Sequence, residues 1–196
     1  MKKLVPQGSV LVPDDATYAF EGKIFSVHEW KQQLYDGSTT MFEMLRRPDT
    51  TAIICIVDDK IIVLDDEQPR QKSLKCFPGG RVDTTDESLV AAAQREVLEE
   101  TGYAFDDWRL VEVEQPEGKI EWFVHTFIAW NGRHVTAADP GPGERIQVSL
   151  ETFETTKQLV MAGSGHLKES QQFFESAHSV EDLLNLPEFI GIEIER

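Results

Sequence analysis

Three glutamates in one short segment are the residues best suited to hold a metal ion. Glu96, Glu99 and Glu100 stand at positions i, i+3 and i+4 of a segment with helical periodicity, so their carboxylates share one helix face within about one turn. They would crowd the last turn, where the helix dipole disfavours negative charge. A hard divalent cation such as Mg²⁺ would remove both this penalty and the mutual repulsion. A solvated acidic helix face is the alternative interpretation.

Residues on both sides extend this pattern. Arg95 precedes the first glutamate and Glu87 lies two helical turns earlier, where both could orient the metal ligands as outer partners. The string from Glu87 through Arg95 to Gly102 and Tyr103 resembles the Nudix box, Gly-x₅-Glu-x₇-Arg-Glu-U-x-Glu-Glu-x-Gly-U, in which U is a bulky apolar residue. Six residues instead of five separate Gly80 from Glu87. The loop therefore carries one extra residue, which leaves the placement of Glu87 open.

The resemblance implies how these residues are used. In the Nudix family the box binds one to three Mg²⁺ ions, for which Mn²⁺ is a possible substitute. Glu96 and Glu100 would be the principal ligands, Glu99 a further ligand or a group acting on bound water, and a backbone carbonyl near Gly79 would complete the shell. Metal ions neutralise the anionic oxygens of a diphosphate and lower the pKa of bound water from ~15.7 toward neutrality. The implied reaction is hydrolysis of a diphosphate linkage.

Two elements outside the box resemble ADP-ribose pyrophosphatases. Gln68-Pro69-Arg70 is similar to their Gln-x-Arg element, in which the arginine contacts substrate phosphates, although a surface arginine after a strand is common. Gly143-Glu144-Arg145-Ile146 is similar to a Gly-Glu-x-Ile element on a late loop, which makes Glu144 the candidate general base. A solvated glutamate in a Gly/Pro loop is the alternative for Glu144.

The N-terminal region supplies candidate contacts for the base of a nucleotide. Phe42-Glu43 followed by Arg47 resembles an aromatic-Glu pair with a downstream basic residue in the same enzymes. Phe42 could stack on a base and Arg47 could contact the diphosphate. Trp30 is a second candidate platform. Packing within the subdomain is the alternative for both aromatic residues.

The periodicity of apolar residues predicts the strands and helices that position these residues. β-branched runs at 52–57 and 61–64 flank a hairpin turn, and a strand at 74–77 ends at Pro78-Gly79-Gly80. A helix is predicted from Asp86 to Thr101, with Gly102 at its end. Further strands are predicted at 108–114, 119–130 and 145–150, and helices at 151–161, 167–177 and 180–186, whereas 29–36 could be a helical turn or a strand.

Strands on both sides of a central helix predict an α/β protein with a mixed-sheet sandwich. The resemblance implies the Nudix-type α/β/α sandwich. We expect a small N-terminal β subdomain at 1–48, for the substrate platform and dimerisation, and a Nudix domain with C-terminal helices at 49–196. The short N-terminal element cannot bury a core alone, which agrees with the homodimer that the resemblance implies.

Composition limits the possible partners. The net charge of −16 argues against nucleic acid, which requires a basic face. No apolar run approaches the ~18 residues of a membrane span, and no secretory signal is present, so a cytoplasmic location is expected. Cys55 and Cys76 are expected to be reduced and buried, without a disulfide or zinc site.

We therefore predict an enzyme that cleaves ADP-ribose or a related nucleoside diphosphate sugar into two monophosphates. A Nudix hydrolase of nucleoside triphosphates is one alternative. A non-catalytic Nudix-fold binding module is another, but such modules usually lose box carboxylates that this chain retains. An acidic interaction protein would rest on net charge alone.

Overall fold

The computed structural model describes residues 2–195, which form two compact units. The first unit contains the described parts of 1–50, 113–124 and 190–196. Its strands are β1 (Lys2–Val5), β2 (Thr17–Glu21), β3 (Ser26–Gln33), β4 (Thr39–Arg46), β9 (Ile120–Glu121) and β12 (Ile192–Glu195). Strands β2, β3, β4 and β9 form one sheet in that order, and β1 pairs with β12. The predicted N-terminal element thus shares its unit with two later segments that sequence periodicity did not associate with it.

A buried ion pair stabilises the first unit. Strand β4 pairs in parallel with β9, which places Arg46 opposite Glu121. The Arg46 guanidinium donates to both carboxylate oxygens of Glu121, at 3.0 and 3.1 Å, and the backbone N–H of Val12 donates to one of them at 2.7 Å. Two-point contact of this kind satisfies the charge of a carboxylate that is only 1% exposed.

The second unit contains residues 51–112 and 125–189. Its elements begin with β5 (Thr50–Val57), β6 (Lys60–Glu67), β7 (Leu74–Cys76), α1 (Leu89–Thr101), β8 (Tyr103–Glu114) and β10 (Val124–His134). They continue with β11 (Arg145–Thr152), α2 (Phe153–Met161), a 3₁₀ helix (Gly165–Ser170), α3 (Gln171–Ser176) and α4 (Val180–Leu184). The sheet order is β11-β6-β5-β10-β8, and β7 pairs with β6.

Helices cover both faces of this sheet because β5 and β6 are apolar on both faces. One core cluster contains Ile62 and Leu64 of β6 with Ala93 and Val97 of α1. The opposite cluster joins Ile61 and Val63 of β6 to the C-terminal helices through Phe153, Val160, Leu167, Phe173, Phe174 and Leu183. The predicted α/β/α sandwich is confirmed.

The central helix begins and ends at residues that its sequence supplies. Ser88 is the N-cap, and its side chain accepts a hydrogen bond from the N–H of Ala91. Gly102 ends the helix in a left-handed conformation with φ 73°, and its N–H donates to the carbonyl of Leu98. The helix starts three residues after the predicted Asp86, because 86–88 belong to the preceding loop.

Some elements differ from the sequence prediction. In the segment 29–36, for which a helical turn or a strand remained open, residues 29–33 belong to β3 and 34–36 lie in the turn after it. The predicted helix at 167–177 is a 3₁₀ helix followed by α3. The pairing of β1 with β12 was not predicted, because it joins distant parts of the chain. No helix among residues 2–195 is long and apolar enough to cross a membrane.

The two cysteines differ in burial, since Cys76 is only partly buried. Both are free, and Cys55 is buried. Burial and the nearby Glu100 carboxylate raise the pKa of Cys76 to about 12. Because the thiolate is the reactive species, Cys76 is a poor nucleophile and a poor metal ligand at neutral pH.

Candidate active site

The loop before the central helix is fixed to strand β5. The N–H of Thr51 donates to the carbonyl of Gly80 and the N–H of Ile53 to the carbonyl of Pro78, each at 2.8 Å. Gly79 lies between them with φ 154°, and a Cβ there would lie 2.1 Å from the carbonyl oxygen of Thr51. Only glycine allows the loop to run this close to β5. No hydrogen bond within residues 2–195 uses the carbonyl of Gly79.

The same loop contacts two of the predicted metal ligands on α1. The N–H of Gly79 donates to the Oε2 atom of Glu100 at 2.9 Å, and Glu100 is only 9% exposed. A Cβ at Gly80 would lie 2.6 Å from the Glu96 carboxylate. The two glycines therefore allow the backbone to approach both glutamates.

Arg95 connects the carboxylates of the helix with the loop. Its Nη1 atom donates to Glu96 at 2.8 Å and to Glu99 at 3.4 Å. Its Nε and Nη2 atoms donate to the two carboxylate oxygens of Asp86, at 3.1 and 3.0 Å, and Nη2 also donates to the carbonyl of Arg81 at 2.9 Å. Five hydrogen bonds hold this guanidinium, and they orient Glu96 and Glu99.

The loop partner of Arg95 is Asp86, whereas Glu87 is exposed. The hydrogen bonds and the charge of Arg95 lower the pKa of Asp86. Five residues separate Gly80 from Asp86, the interval that the family pattern has between its glycine and its first glutamate, and eight separate Asp86 from Arg95. Counted from Asp86 in place of Glu87, the extra residue falls between the acidic residue and Arg95, next to the helix start.

Five acidic side chains lie close enough to influence one another electrostatically. We call them the carboxylate cluster: Asp66, Glu96, Glu99, Glu100 and Glu144. Burial, reinforced by the charges of Glu96, Glu144 and Asp66, raises the pKa of Glu100 to about 8. Burial also raises the pKa of Glu96, which the charges of Glu99 and Glu144 raise further. The pKa of Glu144 is raised by burial and then by Asp66 and Glu99. Arg95 offsets part of this negative charge through its bonds to Glu96 and Glu99, yet repulsion among the carboxylates still contributes to all three raised pKa values.

A divalent cation would balance that charge, and the donor set consists of the oxygen ligands that hard cations prefer. Among the described residues, no three acidic, histidine or cysteine side chains are already arranged as a metal-binding group. The reason is visible in the contacts: Arg95 holds Glu96 and Glu99, and the Gly79 N–H holds Glu100. The residues fit a metal ion by their chemistry, and their side chains would turn toward it on binding.

Other predicted site residues of the second unit lie in the turn after β6 and in the loop before β11. The side-chain amide of Gln68 donates to the Oδ2 atom of Asp66 at 3.0 Å, so Gln68 contacts the cluster. Arg70 is exposed, with a positive φ of 69°. Glu144 lies in the loop that enters β11, where its N–H donates to the carbonyl of Gly141.

The remaining candidates belong to the first unit. Trp30 of β3 lies directly opposite Phe42 on the neighbouring strand β4, and their ring centroids are 6.0 Å apart. Phe42 is 43% exposed, which leaves part of its ring available for stacking. The Arg47 guanidinium lies 4.5 Å from the ring centroid of Trp122 and 5.5 Å from that of Phe25, so cation–π contacts hold its position.

Two residues of the site were missing from the sequence prediction. Asp86 could have been found by counting five residues from Gly80. Asp66 gave no such signal, because its neighbours in the cluster are distant in sequence and are brought near it by the fold.

Comparisons with known proteins identify the family of the chain. Residues 46–168 match the model of the NUDIX domain. The chain is 26% identical over 160 residues to an ADP-ribose pyrophosphatase of Bacillus subtilis (strain 168), covering 80% of this chain and 82% of that protein. It is also 28% identical over 114 residues to a methanol dehydrogenase activator of Bacillus methanolicus, covering 56% of this chain and 60% of that protein.

Among solved structures, that of an ADP compounds hydrolase superposes with a TM-score of 0.62 at 20% identity, covering 90% of this chain and 92% of that one. It supports the fold. The family model extends over more than half of the chain and includes the Gly79–Gly80 loop, the helix α1 and Glu144. The protein belongs to the Nudix hydrolase family.

Proposed function

We propose that the protein uses Mg²⁺ to hydrolyse the diphosphate linkage of ADP-ribose or a related nucleoside diphosphate sugar, giving two monophosphates. The observation that carries this proposal is the carboxylate cluster gathered at the Gly79–Gly80 loop. A bound divalent cation would supply charge neutralisation at the diphosphate and an acidified water.

The residues of the cluster can be given roles in this reaction. Glu96, Glu99, Glu100 and the carbonyl of Gly79 would hold the metal. Arg95 would keep Glu96 and Glu99 oriented through its hydrogen bonds.

Glu144 is the proposed general base. A carboxylate with a raised pKa is a better proton acceptor near neutral pH than an ordinary glutamate. Burial and the neighbouring charges of Asp66 and Glu99 raise the pKa of Glu144 in this way.

The substrate class is supported by candidate residues of each unit, taken separately, and by the relatives. Arg70 would contact the phosphates, with Gln68 beside it. Trp30 and Phe42 provide a pair of rings on which a base could stack, and Arg47 is a further candidate for the diphosphate. Two of the similar proteins are named for ADP-ribose and for ADP compounds, which supports an ADP-containing substrate.

We also propose that the enzyme is a homodimer and acts in the cytoplasm. The first unit supports dimerisation, because Tyr18, Phe20, Met41 and Phe42 on β2 and β4 are exposed. The register of the sheet places Phe20 and Met41 on one face and Tyr18 and Phe42 on the other, so exposed apolar groups on either face could contact a second copy.

A substrate panel with Glu100→Gln as the key variant tests the activity. With Mg²⁺ we expect wild-type protein to release AMP and ribose phosphate from ADP-ribose. We expect the Gln variant to lose about 100-fold or more in rate, because removal of a metal-binding group typically costs at least what loss of an outer partner costs. Glu154→Gln, an exposed change at the start of α2, is the matched control and should retain wild-type rate.

The alternatives give different results in the same panel. Turnover of nucleoside triphosphates without turnover of diphosphate sugars would assign the protein to triphosphate hydrolysis. Tight nucleotide binding without any turnover would identify a binding module.

A further inference from the structure

Strand β6 presents two neighbouring aspartates to opposite faces of its sheet. Ile62 and Leu64 pack in the core cluster that contains α1, and Asp66 continues this series because side chains alternate along a strand. Ile146, directly opposite Asp66 on β11, packs against the same cluster. Asp66 therefore points to the face that carries α1 and its glutamates.

Asp65 points to the other face, in series with Ile61 and Val63. There it forms an ion pair with Lys75, at 2.9 Å. The two aspartates thus have the same side chain and adjacent positions, but different surroundings.

One oxygen of Asp66 has no hydrogen-bond partner. Its Oδ2 atom accepts from Gln68, whereas Oδ1 is buried without a partner in the described part of the chain. Withdrawing an ionised oxygen from water without a partner is costly. Buried polar groups of this kind therefore call for a ligand, an ion or a bound water.

The surroundings of Asp66 are acidic. Asp66 lies near enough to Glu100 and Glu144 for its charge to act on both carboxylates. Within the described residues 2–195, no basic side chain forms an ion pair with Asp66, in contrast to Asp65. A divalent cation would bind the Oδ1 atom that has no partner and would also reduce the repulsion between the carboxylates.

We infer that Asp66 is a further ligand of the divalent cation, contributed by strand β6 from outside the box, directly or through a metal-bound water. This inference rests on the metal site of the proposed function. It extends the set of metal-binding carboxylates beyond the helix, toward the loop that carries Glu144.

The test compares Asp66→Asn with Asp65→Asn in Mn²⁺ titrations followed by electron paramagnetic resonance. The first change keeps the shape of the side chain and removes its charge. We expect it to weaken Mn²⁺ binding about tenfold or more, within the range for groups that support a metal site. Asp65→Asn should bind Mn²⁺ as the wild type does.

Thermal unfolding in EDTA provides a second readout. A purely structural aspartate would leave the protein less stable when replaced. We expect Asp66→Asn to melt at or above the wild-type temperature, because it removes a buried charge that repels Glu100 and Glu144. If this variant fails to fold, Asp66→Ser serves in its place, since it also removes the charge and is smaller.

Wild-type Mn²⁺ affinity in the Asp66 variant, or a lowered melting temperature in EDTA with unchanged affinity, would overturn the inference. Turnover of ADP-ribose by such a protein would leave the proposed function standing. Conversely, Asp66-dependent Mn²⁺ binding without turnover of any diphosphate sugar would reject the proposed substrate and support the metal ligand.

Discussion

Arg95 donates two hydrogen bonds to the Asp86 carboxylate. Substituting Asp86, and separately its neighbour Glu87, tests which of the two acidic residues supports Arg95. Asp86→Asn should weaken the hold on Arg95 and, through it, on Glu96 and Glu99. We expect a loss of about 10- to 100-fold in hydrolysis rate, as for other groups that support metal ligands. Glu87→Gln should change the rate less than twofold. The opposite ranking of the two variants would restore Glu87 as the partner of Arg95.

The cluster also predicts how stability depends on pH. The pKa of Glu100 is about 8 in the folded protein, against an ordinary value of 4.5, so the folded state binds its proton more tightly than the unfolded state. The stability that this tighter proton binding contributes to the folded state is fully present below pH 4.5 and is lost as the pH rises through 8. Glu96 and Glu144 act in the same direction.

In metal-free protein we therefore expect the melting temperature to fall between about pH 5 and pH 8. Glu100→Gln, which carries no proton to lose, should flatten this decline, and saturating Mg²⁺ should oppose it by binding the ionised form. Thermal scans in EDTA across this pH range are the measurement. A decline of equal size in the wild type and the Gln variant would contradict the assignment to Glu100.

At the scale of elements, the C-terminal helices support the loop of the site from behind the sheet. Phe174 of α3 stacks on Phe77, with ring centroids 6.1 Å apart, and on Phe153 at 5.9 Å. Phe77 is the residue directly before the loop Pro78-Gly79-Gly80. We expect Phe174→Ala to lower the free energy of unfolding by about 3–5 kcal/mol, as for other buried phenylalanines.

Urea unfolding measures this effect. Tyr35→Ala, at a fully exposed aromatic residue, is the control and should stay within about 0.5 kcal/mol of the wild type. If the Phe174 variant were as stable as this control, the helices would be an appendage and not part of the core.

The sequence predicted those helices and strands whose capping residues, turns and apolar periodicity all lie within one continuous segment. The helix α1 has its cap, its apolar periodicity and Gly102 within one continuous segment, so its glutamates could be placed on one face in advance. Asp66 could not be placed, because its approach to α1 depends on the register of β6 with β11. Strand β3 has no regular alternation of polar and apolar residues: Val27 and Trp30 lie three positions apart, a spacing that one helical turn also fits.

At the scale of the whole molecule, exposed apolar side chains predict self-association. Phe20 on β2 and Met41 on β4 are 63% and 53% exposed. We expect multi-angle light scattering at micromolar concentration to show a dimer and Phe20→Glu to give a monomer, since a charge cannot be buried in an apolar interface. Val135→Glu, also at an exposed apolar position, should remain dimeric. A wild-type monomer would remove the prediction.

The extra residue at the start of α1 affects how relatives of this protein can be recognised in genomes. A fixed-spacing text search begins at a glycine and reaches the first acidic residue correctly, but it then falls one position short of the arginine. Such a search would discard any chain built in this way. A pattern that accepts aspartate or glutamate at the acidic position, with seven or eight residues before the Arg-Glu pair, would retrieve these chains.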